Sequence, residues 1–203
     1  MAFFKNNQAA NQQFSQRQVL ENKYNSSRHN ILLVVVFTFI NLILLVTNSN
    51  TYFLFSAYVP YFIADLGMFL GGKYPAEFYT GEMAGMDVFG NGFFVATLVT
   101  ALVITALYLL SWIFCKKKSG WMVFALVFFI LDTVAMFVLN GVSADQIIDV
   151  IFHAWVIISL FSGISAYNKL KKLPEEPEEE SAEAVATSPI VNPVDEEPAF
   201  PLE

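Results

Sequence analysis

The sequence predicts an all-α integral membrane protein: a four-transmembrane-helix bundle with an outer interfacial or re-entrant helical segment and a disordered acidic C-terminal tail. Three observations carry that expectation. Hydrophobic residues make up 56% of the 203 and charged residues 14%, against an apolar share of roughly 45–50% in soluble domains. Four apolar runs approach the roughly 20 residues needed to cross a bilayer core. Ten of the eleven Lys and Arg residues flank the same ends of those runs, the asymmetry of a multi-pass protein with both termini in the cytosol. The compartment implied is a cell membrane, plasma or bacterial inner.

Residues 1–27 form a polar cytosolic leader, rich in Asn and Gln, which lacks the short apolar core of a cleaved signal peptide. Its scattered Phe3, Phe4, Phe14, Val19, Leu20 and Tyr24 make it weakly amphipathic, suited to rest on the inner membrane surface. The first span covers about 30–48, with Arg28 and His29 at its inner end.

Residues 51–71 are apolar enough to cross as well, which permits a five-span alternative with the termini on opposite sides. The bases argue against it, because a fifth crossing would put Lys116, Lys117 and Lys118 on the other side from Lys169, Lys171 and Lys172. Pro60 removes a backbone donor mid-run and Asp65 needs a partner in lipid. The segment is therefore expected as an interfacial or re-entrant helix pair on the outer face, anchored by Tyr52, Tyr58 and Tyr61. A loop over 72–91 follows, punctuated by glycines and carrying Glu77, Glu82 and Asp87, with Lys73 as its one base. Its acids either form a solvated surface or gather cations.

The second span, about 92–114, is expected to start after Asn91 as N-cap and to end at Trp112 and the lysine cluster. The third covers about 121–140, so that Trp112 and Trp121 flank the basic turn at headgroup level. Asn140 and Gly141 close this helix, and Ser143 with Gln146 makes a capping box that opens the fourth span, about 144–167. The tail over 173–203 holds ten acids and no Lys or Arg, together with six of the eight prolines, too polar a composition for a core. Without those acids the net charge of −7 becomes +3, from eleven bases against eight acids.

Inside the spans the informative residue is Asp132, since an acid at helix centre costs about 2.5–3.5 kcal/mol on insertion scales. His153 lies as far after the hairpin turn as Asp132 lies before it, so both fall at one depth, and Asn41 on the first span reaches a similar level. Asp145, Asp149 and His153 recur every four residues, one helical ridge leading in from the outer surface. A facing carboxylate and imidazole suit proton relay; interhelical hydrogen bonding that holds the bundle in register explains the same residues and is favoured. Asp145 and Asp149 are also explained by the helix dipole and the interface.

Small residues recur at Thr97, Ala101 and Thr105, and at Ser159/Gly163 and Ser162/Ala166, spacings that serve bundle packing more often than a dimer interface. Trp155 reads as a core filler. The single Cys115 excludes an internal disulfide and reads as a bare juxtamembrane thiol rather than a lipidated one. No HExxH motif, nucleophile–His motif or paired histidines are present, so neither an enzyme nor a metal or cofactor site is expected. The expected role is an accessory or self-associating interaction subunit whose partners are the lipid bilayer and a homo-oligomer or membrane partner subunit, with no nucleic acid. The alternative is a proton- or cation-coupled transport component using the Asp132–His153 pair, though no internal repeat supports a complete transporter.

Overall fold

The first 46 residues contain neither Gly nor Pro, and nothing in them stops a helix once it has begun. In the computed structural model, which describes residues 2–49, 51–53, 55–116, 118–141 and 146–174 and side chains from residue 16 onward, α1 runs unbroken over Ala2–Val46. Leader and first span are thus one helix. It ends where Asn48 turns left-handed at φ 53° and the Ser49 N–H reaches back to the Leu44 carbonyl at 2.9 Å, closing off terminal carbonyls that have no partner within the helix.

The described residues 51–53 and 55–57 form a non-helical strap before α2, Tyr58–Leu70. Where a helix pair is expected over 51–71, the described residues thus form one helix preceded by non-helical chain. Pro60 does not break it, because it occupies the third helical position, where the amide has no intrahelical acceptor. At 13 residues α2 rises about 20 Å, short of a full crossing. Two single 3-10 turns, Ala76–Tyr79 and Gly81–Met83, lead to α3 over Asn91–Phe114. Gly90, at φ 78°, takes the N-cap position expected of Asn91.

α4 spans Gly120–Asn140 and ends at Gly141, whose φ of 72° and N–H bond to the Phe137 carbonyl at 3.0 Å make the expected stop. α5 runs over Ile147–Leu170. The expected start of the fourth span at 144 and the proposed Ser143 cap lie outside the described residues, as does the tail from 175 onward. Four helices are long and apolar enough to span a membrane: the Gln16–Val46 part of α1, α3, α4 and α5. Among the described residues there is no strand.

With four long helices the bases gather at one end of the bundle. There the Tyr24 hydroxyl donates to the Cys115 carbonyl at 2.5 Å, and Arg28 donates to the Trp112 carbonyl at 2.9 Å while its guanidinium lies over that indole. An apolar core fills this half: Ile31 and Val34 of α1 pack with Met122 and Phe129 of α4 and Val156 and Leu160 of α5. α1 and α5 come into close contact at Gly163, where an added Cβ would lie 2.5 Å from Ser27 Cβ.

At the other end α2 lies against α3. An added Cβ on Gly67 would fall 1.8 Å from Thr97 Oγ1, so the absence of a side chain sets that contact. Ala101 packs with Ala64 and Met68 of α2 and with Leu42 of α1. Thr97, Ala101 and Gly163 of the small-residue stripes thus sit at contacts inside the bundle. Trp155 departs from expectation: at 48% exposure it lies with Ile148, Ile151 and Ile158 on the outward stripe of α5, opposite buried Phe152 and Val156. The Cys115 thiol is buried.

Candidate functional site

An α-helix opens with amide groups that have no carbonyl to receive them, and α2 opens in the middle of the bundle rather than at its surface. Its Ala57 N-cap offers no side-chain acceptor. Asp132, projecting from the middle of α4, supplies both: Oδ2 accepts the Tyr58 N–H at 2.9 Å and Oδ1 accepts the Val59 N–H at 2.8 Å. A carboxylate there also meets the positive end of the α2 dipole. The acid that is costly in the sequence is thus the cap of a different helix.

The strap before α2 has no helical ladder of its own, and α1 provides one from side chains. Asn41, fully buried, donates from Nδ2 to the Phe53 carbonyl at 2.6 Å and to Ser56 Oγ at 2.9 Å, and accepts the Phe53 N–H on Oδ1 at 2.8 Å. One turn earlier, Thr38 Oγ1 accepts the Ala57 N–H at 2.8 Å. Between these fixings Phe55 holds a φ of 78°, a conformation that bulky residues avoid and that persists only when neighbours impose it. Its ring stands edge-on to Phe152, 4.7 Å between centroids.

The structure brings Asp132 and His153 together, with 3.4 Å between Oδ2 and Nε2. Nδ1 faces the Asp149 carbonyl at 2.8 Å; a carbonyl only accepts, so Nδ1 carries its hydrogen. Nε2 is then the ring nitrogen that faces Asp132. Phe129 stacks on the imidazole at 4.9 Å between centroids, covering the side toward the basic end. Asn41 bonds to neither, and is linked to them only through the strap.

A cavity of about 220 Å³ reaches His153 from the end away from the bases, lined by Tyr52, Tyr58, Tyr61, Asn140, Asp149 and His153 among others. The Tyr58 hydroxyl donates to Asn140 Oδ1 at 2.6 Å across its rim. Asp149 sits in the first turn of α5, where the dipole favours an acid, and it shares the cavity wall with His153 as the ridge spacing predicts. Asp145 lies outside the described residues. Asp65 on α2 receives the Tyr74 hydroxyl, the partner its position demanded. Among the described residues no group of three His, Cys, Asp or Glu side chains could hold a metal ion.

Sequence reasoning missed Thr38, Ser56 and the backbone of Tyr58 and Val59. Thr38 stands three residues before Asn41, one helical face, and that pairing was the available signal. No protein-family model, curated protein or solved structure matches the chain.

Proposed function

We propose that this chain is a multi-pass protein of a cell membrane, both termini cytosolic, whose buried polar residues fix a re-entrant segment on the outer side, and that it acts through a membrane partner as an accessory subunit. Support for the bilayer setting comes from the four long apolar helices and from exposed Val103, Leu131, Val138, Ile158 and Phe161, a surface too apolar for water. The gathered bases support the cytosolic assignment. In that setting the strap dips toward mid-membrane, shielded from lipid by protein, and α2 climbs back out.

The observation that carries the accessory reading is the engagement of both Asp132 oxygens by backbone amides. A carboxylate that caps a helix is a static fixing, and a carrier needs groups that change partners. Thr97, Ala101 and Gly163 are taken up by contacts inside the bundle, which favours a different protein over a second copy as partner. Purification of the full chain from its own membranes in mild detergent should recover a stoichiometric partner. A homogeneous monomer with no companion overturns the reading.

One observation favours proton- or cation-coupled transport instead: the cavity leads to His153, and His153 meets Asp132. Beyond them the packing of Phe129, Val156 and Leu160 offers no continuation. Liposomes holding the purified chain separate the two: the accessory reading expects proton flux equal to that of empty liposomes, and flux abolished by His153→Ala establishes transport.

A further inference from the structure

The cavity above His153 has a character that fixing the strap does not require. Among the described residues its wall carries one carboxylate, Asp149, whose side chain makes no hydrogen bond there, beside three tyrosines. Tyr52 and Tyr61 pack edge to face, 4.9 Å between centroids, and this pair also walls the neighbouring cavity of about 280 Å³. Burial pushes the Tyr52 hydroxyl up to about 12, so this wall stays uncharged at physiological pH. Asp65, Glu77, Glu82 and Asp87 belong to the same end of the bundle, with Lys73 as the one base among 51–91, a field that concentrates cations and repels anions.

We propose that this cavity binds a small organic cation, a protonated amine or quaternary ammonium, held by the Asp149 carboxylate and the rings of Tyr52 and Tyr61. A single carboxylate balances one positive charge, and aromatic walls attract an alkylammonium through the ring quadrupole while accepting its apolar surface. A hard metal ion would require several convergent oxygens. Here Asn140 Oδ1 already accepts the Tyr58 hydroxyl, and among the described residues no three acidic, His or Cys side chains converge. His153 forms the floor with its Nδ1 hydrogen directed to the Asp149 backbone carbonyl, so that hydrogen is not offered to the carboxylate. The site does not depend on the chain having a protein partner.

The test is calorimetric titration of tetramethylammonium into the full chain in mild detergent, at ionic strength held constant with sodium chloride. Saturable binding is expected, weakened about tenfold or more in Asp149→Asn, as for loss of a charged partner, and severalfold in Tyr61→Leu. Phe78→Leu, which lines only the neighbouring cavity, should bind as the unaltered chain does. Asp149 is only partly buried, and elution of its variant at the unaltered position shows that it folds. Absence of saturable binding, equal binding by Asp149→Asn, or displacement by sodium or calcium at equal concentration overturns the proposal. Recovery of a partner protein bears on the accessory reading and leaves this result untouched.

Discussion

Toward the basic end, α1 meets another helix; toward the opposite end, the same α1 meets a strap that is not one. In the first region Ser27 donates to the Ser159 carbonyl at 2.7 Å and Asn30 donates to Ser159 Oγ at 2.6 Å, yet the helices there satisfy their own backbones and pack through Gly163. In the second, Thr38, Asn41 and Asp132 bond directly to the amides of Phe53, Ala57, Tyr58 and Val59 and to the Phe53 carbonyl. Polar side chains between two helices add to contacts that already exist. Polar side chains facing a bare strap replace a ladder that is missing, and an unpaired backbone group away from water costs about 1–3 kcal/mol where a typical hydrogen bond contributes about 0.5–1.5.

That difference predicts unequal sensitivity. Asp132→Ala removes the acceptors of two buried N–H groups and the counterpart of His153 at once, so it should cost about 3 kcal/mol or more. Asp132→Asn keeps one acceptor oxygen of the same shape but sets an amide NH₂ against the other donor, and should lose about half as much. Thermal unfolding in detergent reads both. An Asp132→Ala variant within about 0.5 kcal/mol of the unaltered chain, the range of an ordinary surface change, would mean that the strap is held by something other than this cap.

The contact of α2 with α3 sharpens the comparison by steric means. Gly67→Ala places a Cβ 1.8 Å from Thr97 Oγ1, and overpacking of this kind costs about 1–3 kcal/mol. Adding Thr97→Ala removes that oxygen and leaves the Thr97 Cβ position, 2.8 Å away, so the double variant should recover part of the loss. If the two changes simply add, measured by the same unfolding transition, the helices do not meet at these residues.

The long helices were legible because hydropathy and the placement of Lys and Arg are properties of continuous stretches. Asp132 and His153 were legible as a pair because equal offsets from one turn give equal depth in a hairpin. What faces them was not. Offset arithmetic orders residues within α4 and α5 and says nothing of which distant segment inserts beside them, so the Tyr58 and Val59 amides went unseen. Pro60 misled for a related reason: a proline is a breaker or a tolerated first-turn residue according to where the helix begins, and that beginning is set by Asp132, 72 positions further on in the sequence. Trp155 was misplaced because depth along α5 was readable and its rotation about the axis was not; the outward stripe of Ile148, Ile151 and Ile158 carried that information at helical spacing.

The smallest effect belongs to the helix-to-helix region. Ser159→Ala removes the hydroxyl that receives the Asn30 amide but leaves the Ser159 carbonyl, which still accepts from Ser27, and it leaves both backbones paired within their helices. Interhelical hydrogen bonds of this kind contribute about 0.6 kcal/mol on average, and Asn30 can turn its amide elsewhere because its residue is only partly buried. The variant should therefore unfold close to the unaltered chain, with Asp132→Ala far below both. A loss from Ser159→Ala as large as that from Asp132→Ala would show that the α1–α5 contact depends on its polar residues as heavily as the strap does, and the contrast between ladder-replacing and ladder-free polar side chains would fail for this bundle.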